Sequence, residues 1–190
     1  MWLYAGTGDY ERIGNTSNGT DNLMIGIRDP HYPEYRDVAV PKKAADLTKC
    51  KNTTKDKTGN KCPTSTDTGW YIKLDKSQKV TAEPTVSSGL VYFPIYQPTS
   101  SVNKCSLGDA FICGVDDECG TNFSSNLKNL RRGDACKYVG QGVLSKIVVF
   151  AGKLFANIAG QSAGSIKDLV SIEAAAGGTS SYRSSWRQNY

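Results

Sequence analysis

Histidine is almost missing from this 190-residue chain: there is one, His31. A single imidazole supports neither a histidine metal site nor a proton shuttle. None of the six cysteines sits in a C-x-x-C pair, so the ligand spacings of a zinc site are missing as well. No run approaches the 18 or so apolar residues that a membrane-crossing helix needs, and no stretch reads as a signal peptide. Long helical patterns are scarce too. Only 38% of residues are apolar, with 19 glycines and abundant serine and threonine, a composition that favours short strands and many turns.

What is present points outward from the cell. Six is an even number of cysteines, and disulfides are the better account of them, which places the protein in an oxidising compartment. The spacing favours local pairs: Cys50–Cys62, Cys105–Cys113 and Cys119–Cys136. A disulfide-bearing chain without a visible export signal is expected to be the C-terminal part of a longer precursor. The opening "MWLYAGTGDYERI" gives the same impression, because a strand is already under way at Trp2.

Charge is concentrated rather than spread. Between Pro41 and Cys62 lie Lys42, Lys43, Lys49, Lys51, Lys55, Lys57 and Lys61 against only Asp46 and Asp56, which accounts for the whole net charge of +5. A basic loop of this kind is not a nucleic-acid face with interleaved aromatics. It is a solvated insertion, 41–62, whose Lys49, Lys51, Lys55, Lys57 and Lys61 are candidates for contact with an anionic surface.

Self-comparison is the most informative reading. Short apolar strands recur at Trp2–Ala5, Leu90–Tyr96 and Lys153–Ala159, each followed by a second strand in "NLMIGIRD", "DAFICGVDD" and "KDLVSIEA". Aligning Gly89 with Gly152 sets Val86 on Val149, Val91 on Leu154 and Tyr92 on Phe155. Aromatic-bearing strands close the units: "GWYIKL", "ACKYVG" and "YRSSWRQ". The repeat predicts an all-β chain built of four-stranded antiparallel meanders, the blades of a β-propeller. About three blades are expected, at 1–81, 82–140 and 141–190, the first incomplete, with long inserted loops. Three blades cannot close a ring, so another polypeptide or the rest of the precursor is expected to supply the others, against open apolar faces.

Catalytic motifs are weak by comparison. Gly160-Gln161-Ser162-Ala163-Gly164 satisfies G-x-S-x-G, but a hydrolase elbow needs a histidine after the serine, and His31 lies far upstream. A serine hydrolase using Ser162 is therefore the lesser alternative, beside a quinoprotein dehydrogenase-like propeller fragment, whose repeated tryptophan signatures and quinone site are not seen. "AGTGDYERIG" lacks the third glycine and the helix of a dinucleotide loop. Asp116, Asp117 and Glu118 are adjacent rather than alternating, which makes them weak calcium ligands. Arg132-Gly133-Asp134 lies between cysteines and is a candidate contact with integrin-like receptors. Asn15, Asn18, Asn52 and Asn122 head N-x-S/T triplets that mark exposed loops.

Laid out in this way, "LYAGTGDYERI", "NLMIGIRD", "GWYIKLDKSQKVTAEPTVSSGLVYFPIYQPTSSVNKCSLGDAFICGVDDECGTN", "GQGVLSKIVV" and the closing "SWRQ" resemble the C-terminal propeller of PilY-type proteins, the tip adhesins and assembly factors of type IV pili. The resemblance covers nearly the whole chain. It implies a non-catalytic protein exported through the periplasm to the pilus tip, with minor pilins and a surface or host-cell ligand as partners and neither nucleic acid nor a membrane span. No cofactor is expected in this chain. The family's calcium loop is D-x-D-x-D in type, which does not occur here, so calcium is expected only in the missing part of the propeller.

Overall fold

The computed structural model describes residues 1–16, 21–34, 48–50 (backbone only), 63, 67–74, 77–99, 107–120, 135–160 and 169–174. Among them there is no helix. The strands are β1 (Trp2–Gly6), β2 (Leu23–Arg28), β3 (Thr48–Cys50), β4 (Gly69–Lys73), β5 (Lys79–Val80), β6 (Thr85–Ser87), β7 (Leu90–Gln97), β8 (Asp109–Asp116), β9 (Cys136–Gln141), β10 (Val143–Leu144), β11 (Val148–Phe150), β12 (Lys153–Ala159) and β13 (Leu169–Glu173).

They form three sheets that follow one another along the chain. The first has the order β1-β2-β4-β3. The middle one runs β5-β7-β8-β9, with β6 also on β7, and the third runs β10-β12-β11, with β13 also on β12. All pairs are antiparallel except β3 with β4, which is parallel, so the first sheet departs from a pure meander. The expected boundary at residue 81 is also moved. Lys79 and Val80 pair with Tyr96 and Ile95, which puts β5 in the middle sheet.

The sequence repeat reappears in the hydrogen bonding. Val86 faces Val91 and Val149 faces Leu154, across two-residue hairpins at Ser88-Gly89 and Ala151-Gly152. All four turn residues have positive φ, between 47° and 77°, the left-handed twist that closes such hairpins and that glycine adopts at least cost. In both sheets the lead-in strand is split: β5 and β6 both lie on β7, and β10 and β11 both lie on β12. At the split, Thr81 N–H donates to Pro94 O and Ser145 N–H to Asn157 O. Nitrogen and carbonyl of one strand residue face the same side, so the N–H that Pro94 lacks would point at this break. That is how a proline is tolerated in a central strand.

The middle sheet is a filling between the other two. Seven successive residues of β7, Leu90–Tyr96, are buried, which explains why "LVYFPIY" reads as a continuous apolar run rather than an alternation. Val91, Phe93, Ile95, Cys113 and Val115 pack with Met24, Trp70 and Ile72 of the first sheet. The opposite face, with Leu90, Tyr92, Ala110 and Ile112, packs with Leu144, Ile147, Leu154, Ala156 and Ile172 of the third.

The disulfide reading is corrected. Cys113 is bonded to Cys136, which excludes both Cys105–Cys113 and Cys119–Cys136. The two residues lie directly opposite each other on β8 and β9, and Gly114 N–H donates to Ala135 O beside them. That bond marks a non-hydrogen-bonded pair, where side chains come closest. Cys119 is disulfide-bonded too. The Cys62 and Cys105 positions, and the Cys50 side chain, lie outside the described residues.

Candidate functional site

The seam between the first and middle sheets is built on glycine. Gly26 lies beside Trp70 in the β2–β4 register, and a Cβ on Gly26 would run into the indole ring. With no side chain there, the Trp70 ring occupies the space over Gly26 and is fully buried. Its Nε1–H donates to Asp117 O at 2.9 Å, and the Tyr4 hydroxyl donates to the same carbonyl at 3.1 Å. Two aromatic side chains of one sheet are thereby fastened to a single backbone oxygen of the next.

That oxygen belongs to the acidic turn after β8. The Asp116 carboxylate accepts from Glu118 N–H at 3.1 Å and Cys119 N–H at 2.7 Å, and Gly120 N–H donates to Asp116 O. Asp116 therefore holds its own turn together. Among the described residues, no three acidic, cysteine or histidine side chains gather into a metal-binding group. Burial pushes the Tyr4 hydroxyl well above its usual range, reinforced by Asp117, Glu118 and Asp116. Burial likewise raises the Asp117 carboxyl, with Asp116 and Glu118 adding to the effect and the backbone N–H groups of Glu118 and Asp117 opposing it.

A raised carboxyl keeps its proton longer in the folded state than in the unfolded chain, so its ionisation weakens the fold as pH rises above the ordinary carboxylate range near 4. Asp117→Asn is therefore expected to raise the melting temperature at pH 7 by about one to three degrees. The gain should fade towards pH 3, where the native carboxyl is protonated in both states. Equal gains at pH 3 and pH 7 in a thermal melt would contradict this account.

Beside this seam the G-T-G-D segment receives β5. A side chain at Gly6 would meet that of Val80, one at Gly8 would meet the Lys79 Cβ and the Val80 backbone, and Val80 N–H donates to Thr7 O at 3.1 Å. Lys79 is the one buried charged residue among those described. Its Nζ donates to Asn15 O at 2.9 Å and Ser77 O at 3.2 Å, tying the loop after β1 to the strand. Burial lowers its affinity for the proton, and the Asp9 carboxylate partly offsets this. Gly6→Ala should cost about 1–3 kcal/mol by overpacking. Adding Val80→Ala should recover part of that loss in chemical denaturation; additive losses would show that Val80 is not what the new methyl meets.

The seam between the middle and third sheets is more polar. Thr81 Oγ1 donates to Leu144 O at 3.1 Å, Thr85 Oγ1 to Ile147 O at 2.6 Å, and Lys146 Nζ to Glu83 Oε2 at 2.6 Å. Each bond joins one split lead-in strand to the other.

Beyond the two seams, both end faces of the stack expose apolar side chains, and on the third sheet these are interspersed with exposed Lys153, Asn157, Ser171 and Glu173. On the first sheet, Leu3 is 55% exposed and is flanked by Ala5, with Ile25 and Ile27 half-buried. On the third, Val148 is 57%, Phe150 71% and Leu169 52% exposed, next to Phe155 in the β11–β12 register.

The other sequence candidates divide simply. Lys49 lies on β3, where only backbone is described; Lys51, Lys55, Lys57, Lys61, Arg132, Gly133, Asp134 and Ser162 lie outside the described residues, as do Asn18, Asn52 and Asn122. Exposed His31 lies in a turn where the Asp29 carboxylate accepts from the N–H groups of His31 and Tyr32. "AGTGDYERIG" continues into turns rather than a helix. Sequence reasoning missed Lys79, Gly26 and the Asp117 carbonyl. Only the two glycines of G-T-G-D hinted at the crowding. No protein-family model matches this chain, and neither does any curated protein or solved structure.

Proposed function

We propose that this chain is a non-catalytic, extracellular module of a type IV pilus tip adhesin and assembly factor of the PilY type, a portion of a β-propeller completed by further sheets. The observation that carries the reading is the stack itself: a middle sheet buried on both faces between two sheets of related build, with large apolar side chains exposed at both ends. Stacking of antiparallel sheets face to face is how propeller blades pack. The Cys113–Cys136 disulfide fits passage through the periplasm. None of the described residues forms a helix long and apolar enough to cross a membrane. Segment resemblance supplies the pilus context, with minor pilins and a surface ligand as partners, and the lysine insertion supplies a contact for an anionic surface.

Deleting the coding sequence in the producing bacterium should lower surface piliation and attachment several-fold while leaving the intracellular pilin pool intact, and immunogold labelling should place the protein at pilus tips. Unchanged piliation together with a cytoplasmic label would end this reading.

A further inference from the structure

The face-to-face contact between sheets occurs twice in this chain, and it has a direction. Hydrogen bonds fix the equivalence of the sheets: Asp29 N–H donates to Met1 O, Asp117 N–H to Gly89 O and Ala174 N–H to Gly152 O. Trp2, Leu90 and Lys153 are therefore one repeat position, and Leu3, Val91 and Leu154 the next. At the first seam, the face of the first sheet that carries Trp2 meets the face of the middle sheet that carries Val91. At the second, the face that carries Leu90 meets the face that carries Leu154.

In both seams, then, a face of the Trp2 kind packs on a face of the Leu3 kind. One of each is left over. The first sheet keeps its Leu3 face, with Ala5, Ile25 and Ile27, and the third keeps its Lys153 face, where Val148, Phe150, Phe155 and Leu169 stand beside Asn157, Ser171 and Glu173. We propose that these leftover faces bind each other between two copies of the chain. The third sheet of each copy seats on the first sheet of the other, repeating the internal seam.

The contact joins unlike surfaces, so it either propagates or closes. Closure at two copies brings six of the described sheets together, within the four to eight of known rings; this step rests on the propeller reading above. Size argues for closure as well. Three strands of about five residues, at ~3.4 Å rise and ~4.8 Å spacing, cover ~250 Å² per face, about 500 Å² per seam. One such seam is the size of an adventitious contact, whereas two together reach the roughly 1,000 Å² of a stable interface.

Light scattering during size exclusion on the full chain tests this. Wild type should run as a dimer at micromolar concentration. Phe150→Glu and Leu3→Glu should each run as monomers, with dissociation at least ~100-fold weaker, as for an apolar anchor replaced by a charge. An equimolar mixture of Phe150→Glu with Leu3→Lys should dimerise again, more weakly than wild type, because one of its two seams joins two unaltered faces and the other sets opposite charges against each other. Thermal melts check that each variant is folded; Val148→Glu and Ala5→Glu, on the same two faces, replace any that is not. A monomeric wild type, a Leu3→Glu dimer or a mixture that stays monomeric overturns the head-to-tail contact, and a ladder of larger oligomers overturns closure at two. A monomeric wild type leaves the pilus reading to the piliation experiment, which does not depend on it.

Discussion

Trp70→Ala is expected to remove about 4 kcal/mol of stability, which for a chain of this size lowers the melting temperature by on the order of 10 °C. The indole is fully buried, and its loss leaves a cavity against Gly26, which has no side chain to fill it. The Asp117 carbonyl also loses one of its two side-chain donors, keeping only the Tyr4 hydroxyl. Trp70→Phe separates these contributions: it keeps most of the apolar volume and gives up the hydrogen bond, at a cost of about 1–2 kcal/mol. Chemical denaturation of both variants provides the comparison. If alanine and phenylalanine cost the same, the hydrogen bond rather than packing would be the main tie between the first two sheets.

The second large effect is expected from the cross-strand disulfide. Replacing Cys113 and Cys136 together by alanine should cost about 3 kcal/mol, the loop-closure value for a bridge spanning 23 residues. Two alanines avoid the lone thiol that a single substitution would leave beside β9. Because Cys113 is fully buried between the first two sheets, the double variant loses packing there as well, and its loss should exceed the entropic figure. A melting temperature within two degrees of wild type would mean that β8 and β9 are held by their ladder alone.

Much of the fold was legible because its physics is local. The apolar runs at Trp2–Ala5, Leu90–Tyr96 and Lys153–Ala159 are strands in the structure, as are those within "NLMIGIRD", "DAFICGVDD", "KDLVSIEA", "GWYIKL" and "ACKYVG". Gly89 and Gly152 announced their hairpins because only a few residues adopt positive φ readily. What stayed hidden depends on register. Cys113 and Cys136 meet because β8 and β9 pair in one alignment, which short cysteine spacings do not encode. Lys79 reads as one more polar residue after "LDKSQ", and its burial follows from the space beside Gly8. Backbone carbonyls such as that of Asp117 leave no mark in a sequence at all. The loop candidates, from the lysine cluster to Ser162, fall outside the described residues.

Pro94 has a consequence for the chain before it folds. "LVYFPIY" combines bulky, strand-forming side chains without a charge, the profile of a segment that stacks in register with copies of itself. In the native sheet this hazard is buried on both faces. During synthesis it is bare, and its non-local partners on β8 and β12 have yet to emerge. A proline in the centre breaks the row of N–H donors that such stacking needs, so it works as a gatekeeper. The split lead-in strand thus has a use beyond native pairing: it lets the finished sheet accommodate the residue that keeps the nascent chain from aggregating.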